Sequence, residues 1–406
     1  MVSIALFRSL SHRSFALLWS GQTISRLGDS LYRIALAWWV LQQTGSAAAM
    51  GVVLVGANLP QLLLSLAGGV ASDRFPRVRV MLAADLLRGA AVGLVAVGAA
   101  LHALALWQLV VLSAVFGAAA AFFYPAYGAI VPDLLPPHAL PNANALRSLS
   151  FRLAGIVGPA LGGAIVAAGG ASLAFALDGA SFVVSAACLT AVARVPPLRR
   201  PASRDAGALA DLREGVATVL GTPWLWITIA IAGVTGITLI GPLEAVLPLL
   251  VRQHLHAGVG GYALLQTLEA AGAVAAIVAL GQATRLGRRG LRVYGAWLLV
   301  CAAMILLGLP IPFAVACLAV ALAGAGIATL GLVWTNTLQE LVPPERLGRV
   351  LSVDALGSDA LASVGYGLAG VAADRLGAAP VFVLGGIVSA AIIALGLLHR
   401  SVRGLD

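Results

Sequence analysis

Residues 132–140 read PDLLPPHAL and residues 339–347 read QELVPPERL. The two stretches lie 207 residues apart, and at that offset Pro136 meets Pro343, Pro137 meets Pro344, Leu140 meets Leu347, Gly158 meets Gly365 and Gly163 meets Gly370. A double proline cannot sit inside a continuous helix, so each copy marks an interruption between two helices. A repeat at this spacing makes the chain two related halves of roughly equal length.

What surrounds both copies is apolar. Of 406 residues 60% are hydrophobic and only 10% charged, with a mean hydropathy of +0.99. No soluble domain of this length has that composition. A hydrocarbon core takes about 20 helical residues to cross. The chain supplies twelve such spans: Phe15 to Leu41, Ala47 to Ala71, Val80 to Leu101, Trp107 to Tyr127, Ala143 to Ala167 and Ser172 to Val192, then Pro223 to Val251, Tyr262 to Ala283, Arg292 to Leu309, Phe313 to Thr337, Val350 to Ala373 and Pro380 to His399. The expected fold is an all-α integral membrane bundle of twelve transmembrane helices in two pseudo-symmetric halves. Residues 1–192 form the N-terminal half, 193–222 a cytoplasmic linker and 223–406 the C-terminal half. Arg8 and Arg13 precede the first span, which is too long for a cleavable signal and is expected to remain as a helix. Cys188, Cys301 and Cys317 have no metal or disulfide spacing and read as small packing residues, so no metal is expected.

All 25 basic residues are arginine, and the formal net charge is +9. Arginine is retained in cytoplasmic loops. The N-terminus, the even-numbered connections and the C-terminus hold 19 arginines against two, Arg252 and Arg375, on the odd-numbered ones. Both termini and the linker are therefore expected on the cytoplasmic side of the inner (plasma) membrane. Topology accounts for the positive charge without a nucleic-acid partner. With no lysine there is no P-loop, so transport through this chain is expected to be secondary, driven by an ion gradient, with no cofactor. The partners expected are the bilayer and a small organic substrate, the working unit a monomer.

The loop after the second span, GGVASDRFPRVRV, carries Gly69, Asp73, Arg74, Arg77 and Arg79. A glycine there permits close helix approach, and a carboxylate at a helix end can meet another helix's positive N-terminus. The pattern resembles the loop between helices 2 and 3 of the major facilitator superfamily, which implies a cytoplasmic gate with Asp73 near the cytoplasmic end of the eleventh span. The second-half copy, GQATRLGRRG, keeps Gly281 and Arg289 but has Arg285 in the aspartate's place. The fifth span contains AGIVGPALGGAIV, with Gly158, Pro159, Gly162 and Gly163. It resembles the antiporter motif of that superfamily's drug exporters, and small residues plus a proline make a close, pliable helix interface. The FRSLSHRSFALLWSGQTISRLGDSLYRIAL opening, DLLRG at Asp85 to Gly89, PDLLPPHALPNANAL and AFALDGASF are similar to the drug:proton antiporter branch related to macrolide-efflux proteins and the enterobactin exporter. This resemblance implies proton-coupled efflux of a drug, natural product or siderophore by alternating access. Uptake symport or lipid flipping suits the same scaffold. A membrane enzyme or sensor is the remote alternative, and no catalytic residue set stands out.

Inside the spans, Arg26, Asp29 and Arg33 share one face of the first helix. An ionised group at that depth costs about 3 kcal/mol and must face a partner or a cavity. Asp29, Arg33, Glu269 and Glu244 are the proton-coupling candidates, with Asp29 and Glu269 expected to form the core of the site. Asp85 and Asp178 fall in spans that the resemblance makes scaffold. The candidates for lining a substrate cavity are Gln22, Arg26, Asn58, Gln61, Arg152, Gln266, Trp334 and Asn336, among aliphatic and aromatic neighbours suited to an amphipathic cargo.

Overall fold

The computed structural model describes residues 7–194, 208–282 and 287–405, and those residues are almost wholly helical. Of the arginines that make up the cytoplasmic count, Arg199, Arg200, Arg204 and Arg285 lie outside the described residues. The transmembrane helices in chain order are α1 (Arg13–Thr44), α2 (Ala47–Arg74), α3 (Arg77–Ala100), α4 (Leu106–Ala129), α5 and α6 (together Leu140–Val192), α7 (Pro223–Ala245), α8 (Val259–Gly281), α9 (Arg289–Leu307), α10 (Phe313–Leu341), α11 (Pro344–Leu376) and α12 (Ala378–Leu398). A further helix, Ala208–Leu220, occupies part of the stretch read from the sequence as a linker.

Nine segments of the described residues are long and apolar enough to cross a membrane by length and composition. One of them, Pro137–Val192, has 56 residues and is far longer than the roughly 20 that one crossing takes. It is two helices joined at Gly170, where φ is +78°. That left-handed backbone suits glycine alone, so the sequence stops α5 and restarts the chain as α6. The same device recurs at Gly377, with φ +92°, between α11 and α12. The two glycines stand 207 residues apart, the offset of the proline repeat. With α1 and α11 the count is twelve.

By internal packing the chain divides into two units, residues 1–39 with 56–204, and residues 40–55 with 205–406. In the first unit α3 lies against α4 and the α5/α6 pair. Its core includes Phe15, Leu18, Met81, Phe123, Leu146 and Leu189. In the second, α10 packs on α8 and α9, and α9 on α12. The Ala208–Leu220 helix joins a smaller core of Val219, Leu225, Leu338 and Val350. Glu214 on that helix pairs with Arg349 at 2.7 Å and Arg346 at 3.7 Å, tying it to the start of α11.

The repeat shows again where helices touch. Gly117 of α4 lies against the backbone carbonyl of Ala57 in α2, and Gly324 of α10 against that of Glu269 in α8. A side chain at either glycine would strike the neighbouring backbone, so both crossings depend on the missing Cβ. Within the second unit, Asp374 of α11 accepts hydrogen bonds from the Ala47 amide at 2.8 Å, the Ala48 amide at 3.2 Å and the Ser46 hydroxyl. A carboxylate thereby caps the N-terminus of α2, where orphan N–H groups and the helix dipole favour negative charge. Helix α7 contains a π-helical turn, Gly236–Ile240, just before Glu244, whose side chain is exposed.

Candidate transport site

Asp29 does not pair along its own helix. Arg33 is exposed and makes no hydrogen bond or ion pair among the described residues, and the positive charge that acts most strongly on Asp29 is Arg88 of α3, ahead of Arg26 and Arg33. Arg33 acts on Asp29 from an outward-leaning position, while Arg88 is held inside. Oδ1 of Asp29 is buried without a hydrogen-bond partner.

What makes room for this is Gly28. A Cβ there would overlap Ser181 and the Asp178 carboxylate of α6, so the glycine lets α6 bring Asp178 up to α1 beside Asp29. Asp178 is fully buried. Its Oδ1 accepts from the Ser181 hydroxyl at 3.2 Å, while its Oδ2 has no partner. The third carboxylate, Asp85 of α3, is also fully buried and is paired with Arg88, itself only 2% exposed. Asp85 further accepts from the Ser185 hydroxyl at 2.6 Å, and the Gln22 amide donates to Ser185 at 2.7 Å. The Arg88 guanidinium lies 4.0 Å from the centre of the Phe123 ring, 4.9 Å from Phe182 and 5.7 Å from Phe116.

Helices α1, α3 and α6 thus gather three acids around one enclosed arginine. The sequence reading assigned Asp85 and Asp178 to scaffold, and the structure brings both into the Asp29 cluster. The signal available in the sequence was three intramembrane acids in one half, each expensive unless partnered.

Helix α5 fixes the other side of α1. A Cβ on Gly158 would stand 2.8 Å from the Ser30 hydroxyl oxygen, and one on Gly162 would stand 3.3 Å from the Leu31 Cα. Pro159 and Gly163 are buried in the same helix. The motif residues of α5 therefore set how closely it approaches α1 next to Asp29.

Towards the N-terminal end of α1, a cavity of about 360 Å³ opens between α1, α4 and α5, lined among others by Trp19, Arg26, Tyr127, Asn144, Arg147 and Phe151. Gln22 lines it and also belongs to the acid network. Arg147, which the charge count took with the connection before the fifth span although it lies just inside that span, is on α5 and faces this cavity.

At the loop after α2, Arg77 forms an ion pair with Asp133 at 2.8 Å and donates to the Ala129 carbonyl at 2.9 Å. Burial pushes the Asp133 carboxyl above its usual range, and the Arg77 guanidinium opposes that shift. The second half repeats the arrangement with Arg289 and Glu340. Asp133 and Glu340 fall in the PDLLPPHAL and QELVPPERL copies, so the repeated loop anchors the start of α3 and of α9. Asp73 and Arg74 are exposed. Nothing lies within 4 Å of a Cβ at Gly69, and the neighbouring Gly68 is the residue pressed against Ala121 and Phe122 of α4.

The remaining candidates are spread out. Trp334 packs edge-on against Trp224 and spends its indole N–H on Asp354 at 3.0 Å. Gln266 reaches the Tyr262 hydroxyl at 3.4 Å on its own helix. Asn58, Gln61, Arg152, Glu269 and Asn336 are half-buried on α2, α5, α8 and α10. Among the described residues no group of three His, Cys, Asp or Glu side chains is placed to hold a metal.

Comparison with known proteins places this architecture. The family model of the Major Facilitator Superfamily matches residues 18–366. The chain belongs to the Major Facilitator Superfamily. Within the superfamily it is 25% identical over 403 residues to macrolide efflux protein A of Streptococcus pyogenes, covering 97% of each chain. It is 30% identical over 397 residues to the multidrug efflux pump Tap of Mycobacterium tuberculosis, covering 93% of this chain and 91% of that one. In fold it is similar to a bacterial homologue of the iron transporter ferroportin in the inward-facing state, with a TM-score of 0.76 and 16% identity over 95% of this chain and 99% of the other. The Major Facilitator Superfamily fold and the apolar helices make this a multi-pass membrane protein built as a transporter.

Proposed function

We propose that this chain is a secondary active exporter of small hydrophobic or amphipathic organic compounds, driven by proton entry and working by alternating access. The observation that carries the coupling reading is the cluster of Asp29, Asp85 and Asp178 around Arg88. Asp85 is committed to Arg88, Ser185 and Gln22. Asp29 and Asp178 remain, each with an oxygen that has no hydrogen-bond partner. Two further negative charges beside one already neutralised arginine are costly in a low-dielectric interior. A proton taken up between Asp29 and Asp178 removes that cost, and a shift of α1 against α6 alters how tightly it is held. The motif glycines of α5, set against α1 one turn from Asp29, give a route by which helix movement reaches the carboxylates.

One proton entering down 100 mV releases about 2.3 kcal/mol, enough to concentrate a neutral solute about fiftyfold at one-to-one coupling. The efflux named for the two relatives supports the outward direction. Glu269, at the α8/α10 crossing, is a second proton-carrying candidate. Asp73 is proposed as the cytoplasmic gate, with both termini in the cytoplasm and the protein in the plasma membrane. The test is a fluorescent lipophilic dye panel in everted vesicles. Vesicles with the protein are expected to accumulate a dye when the lumen is acidified and to lose it when nigericin collapses the pH gradient. Accumulation of the panel no greater than in vesicles lacking the protein, or unaffected by nigericin, would overturn the reading.

A further inference from the structure

We infer that the cavity between α1, α4 and α5 receives the anionic end of the cargo, a carboxylate or phosphate carried next to an aromatic or apolar body; this rests on the transport reading and adds the charge class to it. The residues lining the cavity include two arginines, Arg26 and Arg147, and no acid. The aromatic faces around it are already turned to those arginines. The Arg26 guanidinium carbon sits 5.3 Å from the Tyr124 ring centre, 5.8 Å from Tyr127 and 5.5 Å from Phe151, and that of Arg147 sits 4.1 Å from Tyr127. A cationic cargo would thus meet two like charges and rings whose faces are engaged.

An anion meets the opposite. A guanidinium has five N–H donors in a planar fork suited to carboxylate or phosphate. Arg147 gives one to the Tyr127 carbonyl at 3.1 Å, and its buried Nε–H has no partner. Neither arginine forms an ion pair among the described residues. Asn144 and Ser148 add uncharged donors, while Trp19 and Phe151 supply apolar surface for the rest of the molecule. The rings keep the two guanidiniums in place without neutralising them.

The experiment uses the full-length protein in neutral phosphatidylcholine nanodiscs and three dansyl probes that share one ring system: dansylglycine (anionic), dansylglycinamide (neutral) and dansyl-ethylenediamine (cationic). Equilibrium binding is read by fluorescence anisotropy. Dansylglycine is expected to bind about tenfold or more tightly than the amide, with the cation weakest. Arg147→Gln and Arg26→Gln should each erase that preference and leave the amide affinity within about twofold, while Arg147→Lys, which keeps the charge and guards against misfolding, should retain part of it.

Equal affinities, a preference for the cation, or an unchanged preference in folded Arg147→Gln and Arg26→Gln proteins would overturn the inference. Short-chain phosphatidylglycerol distinguishes the sources of the anion: displacement of dansylglycine by it, and not by short-chain phosphatidylcholine, identifies a lipid headgroup as the natural ligand, and no displacement identifies a soluble cargo, the anionic chemistry standing in both cases. Binding at equilibrium needs no gradient. Charge-selective binding without gradient-driven accumulation therefore refutes the exporter reading alone, and gradient-driven accumulation of a dye without charge-selective binding refutes this inference alone.

Discussion

Replacing Arg88 with leucine removes the one positive charge enclosed among the carboxylates. The side chain is 2% exposed and Asp85 is fully buried, so water cannot take over the broken pair. Asp85 would keep the Ser185 hydroxyl and the Gln22 amide, which do not neutralise it. Breaking a buried pair by removing one partner costs about 3–5 kcal/mol. Loss of the desolvated contacts to the Phe123 and Phe182 rings adds about 1–2 kcal/mol. Since a folded protein is stable by only about 5–15 kcal/mol, Arg88→Leu should lose most of its folded yield and melt at least about 6 °C lower. Removing both partners in Asp85→Leu/Arg88→Leu leaves no uncompensated charge, so the double variant should recover most of that loss. The assay is thermal unfolding in one detergent, alongside the fraction eluting as a monodisperse peak. An Arg88→Leu protein that melts like the parent, or a double variant as unstable as the single, would refute the reasoning.

Gly158→Leu places a side chain on Ser30 of α1 and should cost about 1–3 kcal/mol by overpacking, with transport falling more than folded yield; a variant that transports at the parental rate would show that the α1/α5 spacing is not critical. Asp374→Ala removes the acceptor for the Ser46, Ala47 and Ala48 groups and should cost about 1 kcal/mol, read as a lower melting temperature that Asp374→Asn restores in part. The carboxyl of Asp133 is pushed above its usual range, so its protonated form is favoured in the folded state. The stability tied to it is full below the unfolded value near 3.8 and is lost as pH rises through the raised folded value,. The melting temperature of the parent relative to Asp133→Asn should therefore rise as the pH is lowered from 7 towards 4, and a difference that stays flat or moves the other way would contradict this.

The fold was legible because membrane helices declare themselves by length and hydropathy, and because the duplicated PDLLPPHAL and QELVPPERL loops date the halves as copies. The structure adds Gly170 and Gly377, two breaks whose positive φ is not written in composition. The site was legible only in part. Asp29 stood out as an intramembrane acid, but Arg88 of α3 and Asp178 of α6, which meet it in the fold, lie 59 and 149 residues further along, and spacing along one helix shows only Arg26 and Arg33. Helical periodicity places residues on a face without saying which neighbour that face meets. Arg147 was hidden for a related reason: near the start of the fifth span it was counted as loop charge, and only the packing of α5 against α1 and α4 shows that it faces the cavity. The Arg77–Asp133 and Arg289–Glu340 pairs join residues more than 50 positions apart, which the repeat locates once the structure shows one of them.

In the proposed mechanism the coupled proton moves through Asp29 and Asp178. Proteoliposomes containing the parent, Asp29→Asn or Asp178→Asn, with a pH-sensitive dye in the lumen, are given a transported compound without an imposed gradient. In the parent, movement of the compound should drive an opposite proton flux that shifts the lumenal pH. Both neutralised variants should bind the compound and exchange it downhill while moving no protons. Proton flux in either folded variant equal to that of the parent would contradict the claim that these two carboxylates carry the coupled proton.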